Sequence, residues 1–183
     1  MAGFQLVKTQ GSSDNSGKVE TFAFLVADGN LMALGDAVIV SGTANADGVA
    51  SITRAAGTAG SEITGIINGF APDLSNLELK GRTASTARLS EIQVDPNAVY
   101  EIEIGSTLVI TDVSSNLLLT PTAPTTTGNL VRSAMVTGAV DATGPLRLIG
   151  LVADPDGVLA LGAVGNIAVV TVIRSQQTNL TGV

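Results

Sequence analysis

The chain has 183 residues, with 9 Lys plus Arg against 16 Asp plus Glu for a formal net charge of −7, and it contains neither cysteine nor histidine. Those absences exclude disulfide frameworks, thiolate nucleophiles and zinc-thiolate sites, and they remove the commonest general base and transition-metal ligand from any catalytic scheme. So few basic residues provide no stripe able to neutralise a phosphate backbone or an anionic bilayer, which argues against nucleic acid and membrane as partners.

In chain order, residues 1–18 read as an N-terminal arm. Its polar stretch, residues 10–18, is followed by the first strand, and the arm is either a frayed end or a segment that docks Phe4, Leu6 and Val7 on a neighbouring subunit. A basic region followed by an apolar one and a cleavage site is missing, so no secretion signal is read. A single β domain is expected over residues 19–175, with 176–183 as a tail. Within it, period-two alternation predicts strands at residues 19–26, 49–54, 62–70, 88–94, 98–104, 107–111 and 146–152. The cleanest is 98–104, with Ala98, Tyr100, Ile102 and Ile104 on one face and Glu101 and Glu103 opposite. In the first, Phe22, Phe24 and Val26 share a face.

Asp28-Gly29, Asp47-Gly48, Asn68-Gly69 and Asp156-Gly157 supply the positive φ angles of tight turns, and Asp95-Pro96 and Asp154-Pro155 add further stops. The Thr/Pro-rich residues 120–128 read as an exposed loop. Residues 158–173 are the most apolar run, yet they are shorter than a bilayer requires and broken by Gly162, Gly165 and Asn166; they read as a strand pair. No window keeps helical periodicity for three turns. An internal echo, Leu25-Val26-Ala27-Asp28 with Met32-Ala33-Leu34-Gly35 against Leu151-Val152-Ala153-Asp154 with Leu159-Ala160-Leu161-Gly162, suits either two related halves or hairpins alike in composition.

Chemistry-bearing constellations are sparse. Glu101 and Glu103 lie on one strand face, as a solvated side does, and converge on nothing. Asp154-Pro155-Asp156-Gly157 opens like an oxygen-ligand loop, but the twelfth residue counted from Asp154 is Gly165 where a calcium loop needs Glu, so it reads as a turn. The glycine-rich Gly57-Thr58-Ala59-Gly60 and Gly162-Ala163-Val164-Gly165 lack the lysine and the strand-to-helix context of a phosphate cradle. With no Trp and one Tyr, stacking platforms for bases or sugars are poorly supplied. The sequence therefore predicts no enzyme, no metal and no cofactor.

From residue 34 onward the segments fall in a particular order. Leu34-Gly35-Asp36-Ala37-Val38 enters a strand, followed by Gly48-Val49-Ala50-Ser51-Ile52-Thr53-Arg54-Ala55-Ala56 and Ile63-Thr64-Gly65-Ile66-Ile67-Asn68-Gly69-Phe70-Ala71-Pro72. Ala84-Ser85-Thr86-Ala87-Arg88, Gln93-Val94-Asp95-Pro96, Tyr100-Glu101-Ile102 and Pro145-Leu146-Arg147-Leu148-Ile149-Gly150-Leu151-Val152 complete the series. In that order they resemble the head decoration proteins of bacteriophages. The resemblance implies a small β-barrel or β-tulip-like subunit on the outer surface of the capsid, assembled in the host cytoplasm. Many copies would cement junctions between major capsid protein subunits, and no catalysis is implied.

The expectation is thus an all-β fold, an antiparallel barrel or sandwich with long loops, serving as a structural capsid decoration protein. Its expected partners are the major capsid protein, which the resemblance implies, and other copies of itself, as dimer or trimer; a mean hydropathy of +0.42 with 14% charged residues suits either buried intersubunit surface or a monomer rich in small Ala, Val and Gly. Candidate contacts are Phe4, Leu6 and Val7 of the arm, and Arg82 and Arg88, scarce arginines that either anchor acidic neighbours or sit exposed at strand ends. The alternative is a tail-associated or adhesin-like module that grips a host surface protein or glycan through its loops.

Overall fold

The computed structural model describes residues 3–10 and 17–175; residues 11–16 of the polar stretch and the tail 176–183 lie outside the described residues. The described strands are β1 (Gln5–Thr9), β2 (Val19–Phe24), β3 (Ala37–Ala44), β4 (Ala50–Arg54), β5 (Gly65–Phe70), β6 (Arg88–Gln93) and β7 (Ala98–Glu103). After a 3₁₀ turn at Ile110–Asp112 come β8 (Asn116–Thr120), β9 (Thr125–Thr127), β10 (Leu130–Arg132), β11 (Val136–Val140), β12 (Leu146–Val152) and β13 (Ile167–Val172). The fold is all-β. Five strands close a barrel in the order β2-β4-β3-β5-β6, six form a sheet in the order β1-β7-β13-β12-β8-β11, and β9 and β10 make a separate two-stranded ribbon. Barrel and sheet thus coexist, and among the described strands β2 and β4 pair in parallel, meeting at Ala23 and Ser51.

The two bodies share a core because two barrel strands are apolar on both faces. Ala37 of β3 and Ile66 of β5 pack with Tyr100, Ile102, Leu117, Leu146 and Leu148 of the sheet. Their chain neighbours Val38 and Ile67 point the other way, into the barrel, against Phe22, Phe24, Ile52 and Ile92. Fully burying such a side chain stabilises by about 1.5–3 kcal/mol. The alternation expected in β7 is present: Ala98, Tyr100, Ile102 and Ile104 are buried, and Glu101 and Glu103 are half-buried on the opposite face. Beneath them, the Phe4 ring meets Tyr100 edge-on with centroids 5.6 Å apart.

Several sequence expectations are corrected. The arm is not separate from the β body, because β1 pairs with β7 from Gln5 opposite Glu101 to Thr9 opposite Ala98. A bulge between Leu6 and Lys8 breaks its two-residue alternation, which hid the strand. β2 ends at Phe24, and a turn closed by the Asp28 N–H on the Leu25 carbonyl leaves Val26 exposed, off the Phe22 and Phe24 face. Gly29 is outside the positive-φ region, and Asn68-Gly69 lies within β5, where the register shifts between Ile67 and Gly69.

Residues 107–111 are not a strand but lead into the 3₁₀ turn. Residues 120–128 include β9, and residues 158–166 belong to a loop and not to a strand pair. The echo does not mark a shared hairpin: β12 and β13 pair directly, whereas β2 and β3 are not neighbours. Among the described residues no helix is long and apolar enough to cross a membrane.

Candidate interaction surface

The five residues singled out as contacts occupy three different settings. Phe4 is 4% exposed in the core of the chain itself, so it is unavailable to a neighbour. Leu6 packs partly against the same core, and Val7 is half-exposed on β1. That strand ends the sheet, but its bulge and Lys8 blunt the edge against further strand pairing.

Arg82 is buried completely. Its Nε donates to the Thr86 carbonyl at 2.7 Å, Nη1 to the Asn30 carbonyl at 2.6 Å, and Nη2 to the carbonyls of Leu25 at 2.9 Å and Asp28 at 2.7 Å. The Asp28 carboxylate adds an ion pair at 3.6 Å, and the guanidinium sits over the Phe24 ring, 4.8 Å from its centroid. Arg82 therefore anchors its own chain's loop 25–30 and not a neighbour. Arg88 is half-buried, donates to the Ala71 and Gly81 carbonyls and stacks over Phe70. Burial depresses both guanidinium pKa values, opposed by Asp28 for Arg82 and by Asp73 for Arg88.

Beside the Arg82 anchor, a cleft of about 460 Å³ is lined by Asp28, Asn30, Ser41, Thr43 and Thr53. The Ser41 and Thr43 hydroxyls are spent on Ser51, whose Oγ lies 2.6 Å from Ser41 Oγ and 2.5 Å from Thr43 Oγ1, and Thr53 Oγ1 accepts from Asn30 Nδ2 at 3.2 Å. Asp28 Oδ1 accepts both the backbone and side-chain N–H of Asn30, at 2.9 and 2.8 Å. Among the described residues no group of three His, Cys, Asp or Glu is gathered for a metal.

A different surface was missed in the sequence. Loops 105–115 and 153–166 leave the end of the sheet where Glu103 stands opposite Ile167. They are bound together: the Leu108 N–H donates to the Gly162 carbonyl at 2.9 Å, and the Gly165 N–H to the Ile104 carbonyl at 2.8 Å. Gly162 has φ of +79°, and a Cβ there would stand 2.1 Å from the Leu108 oxygen, so the loops approach this closely only with glycine. Asp112 Oδ2 accepts the Val109 N–H at 2.8 Å, and Asp154 Oδ2 accepts the N–H groups of Val158 at 3.0 Å and Leu159 at 2.8 Å. Backbone polarity is thus satisfied locally while apolar side chains face outward. Ile110 is 71% and Val158 80% exposed, and Val109, Leu159, Leu161 and Val164 are exposed too. Exposed apolar residues gathered on two loops bonded to each other make this end of the sheet a candidate contact surface. The available signal was an apolar run, residues 158–164, broken by Gly162 and without alternation.

The hydrogen bonds from Leu159, Asp156 and Val158 hold the Asp154 carboxyl below the usual carboxylate range. Its hold on the loop is therefore present above that range and lost as pH falls through the depressed value. Asp154→Ala is expected to speed amide hydrogen exchange at Val158 and Leu159 at neutral pH and leave β7 unchanged. Unchanged exchange at both amides would show that the carboxylate does not order the turn.

No family model, no curated protein and no solved structure matches the chain.

Proposed function

We propose that the chain is a structural decoration protein that binds the outside of a phage head and stabilises junctions between major capsid protein subunits. The observation that carries this reading is the set of apolar side chains exposed on loops 105–115 and 153–166, which hydrogen bonds tie to one another at the end of the sheet. The segment order that resembles head decoration proteins supports it, as does a chain with few charges and a net charge of −7, suited to touching shell protein and not DNA. A typical stable interface buries about 800 Å² per partner, and repetition over a closed lattice turns modest contacts into strong attachment.

The test is co-sedimentation with expanded heads that lack the protein, reading copies bound per capsid subunit and the temperature of head rupture. Saturable binding at a fixed ratio with rupture moved upward is the expected result; absence of binding sinks the reading. A second reading, a tail-associated module recognising a host surface protein or glycan, draws on the polar cleft at Asp28, Asn30, Ser41 and Thr43. Binding on a glycan array that is lost on Asn30→Ala would favour it.

A further inference from the structure

We infer that the end of the sheet formed by loops 105–115 and 153–166 is the docking face, and that its occupant is a shell protein surface with an apolar centre and a rim of lysine or arginine. In naming the shell as partner this rests on the decoration reading; the choice of face and rim chemistry rests on the loops themselves. Ile110 and Val158, the most exposed of the six apolar residues, are large aliphatic side chains on backbone fixed by the Asp112 and Asp154 carboxylates. They are presented without the ordering cost a mobile loop would carry.

Charge decides between occupants. The two loops contain Asp112, Asp154 and Asp156 and not one lysine or arginine. The basic residue that adjoins them is Arg147, opposite Asn116 at the far end of loop 105–115, so the three carboxylates still outnumber it. Against a second copy of the same face, three carboxylates would meet three carboxylates around a desolvated apolar centre, and like charges so placed oppose association. A basic-rimmed partner instead gains both burial and attraction. Another set of exposed apolar residues, Leu34 and Leu77 at the cleft with Phe70 and Pro72, is interleaved with Lys80 and Arg88.

The test is the double variant Ile110→Asp/Val158→Asp, compared with the unaltered chain for binding to expanded heads and for sedimentation on its own. Both residues are exposed, so the thermal midpoint of the variant matches that of the parent, which establishes that it is folded. Binding to heads is expected to weaken at least ~30-fold, as for loss of a central contact residue, and binding of the unaltered chain is expected to weaken several-fold as salt is raised from low to high ionic strength. Undiminished binding by the variant overturns the assignment of the face and leaves the decoration reading standing. Salt-independent binding overturns the basic rim. An oligomer of the unaltered chain that the variant dissociates overturns the choice of a foreign partner. Failure of the unaltered chain to bind heads overturns the decoration reading and this partner with it.

Discussion

Arg82→Met lowers the unfolding free energy by about 3–5 kcal/mol, the cost of removing one partner from a buried charged network. Arg82 donates to four backbone carbonyls and makes an ion pair with the Asp28 carboxylate at 3.6 Å, and the side chain has no exposed surface. Methionine fills similar length but leaves four carbonyls and a carboxylate facing an apolar atom. Each buried group stripped of its partner costs about 1–3 kcal/mol, moderated where the loop opens to water. Urea unfolding would show the loss as a lower midpoint with little change in slope. Arg88→Met is the comparison, and it is expected to cost less because Arg88 is half-exposed and holds two carbonyls. A loss below about 1 kcal/mol for Arg82→Met would mean that loop 25–30 is held by something else.

Asp36→Asn is expected to flatten the pH dependence of stability between about pH 4 and pH 6. Asp36 is wholly buried where barrel meets sheet, and its Oδ2 accepts the Ala33 N–H at 2.9 Å. Burial raises its carboxyl from 3.8 to about 6, against the opposing influence of the Ser133 hydroxyl, the Ala33 N–H and the Arg54 charge. A raised folded-state value means that the native state keeps a proton the unfolded chain has released. The stabilisation is therefore full below the unfolded value of 3.8 and is lost as pH rises through about 6. The shift corresponds to about 3 kcal/mol across that window. Asparagine carries no charge at any of these pH values, so the falling limb disappears. The hydrogen-bonded carboxylates Asp73, Asp141 and Asp154 have depressed values and act with the opposite sign below the usual carboxylate range, outside the window. Denaturation midpoints at pH 4, 5, 6 and 7 decide the matter; an equal fall in the variant would assign the slope to another group.

What could be read in the sequence was what repeats along a strand. The β7 pattern of Ala98, Tyr100, Ile102 and Ile104 states its own face, and β12 has the bounds its alternation predicts, Leu146–Val152. Where the pleat is interrupted the signal failed. β1 carries a bulge after Leu6 and β11 a register shift after Thr137, and neither was expected as a strand. β3 and β5 announce burial but not that their two faces belong to two different cores, because that depends on a sheet formed by residues far along the chain. Arg82 was misjudged for the same reason. Its partners are mostly main-chain carbonyls, Leu25 lies 57 positions away, and a backbone oxygen leaves no mark in a sequence. The exposed pair Ile110 and Val158 was hidden by the opposite assumption, that apolar runs are strands.

The placement of β1 and β13 on either side of β7 has a mechanical consequence. Both run antiparallel to β7, so Gln5 lies towards one end of that strand, opposite Glu101, while Thr171 lies opposite Val99 towards the other. Tension applied between Gln5 and Val172 would pull the outer strands in opposite directions along their length. The ladders would then be loaded in shear, with four register pairs on one side and five on the other resisting together and none peeled open in turn. A subunit stretched along this line would yield abruptly at high force, whereas one stretched across the β12 and β8 pairing, at Leu146 and Arg147, would unzip from two pairs.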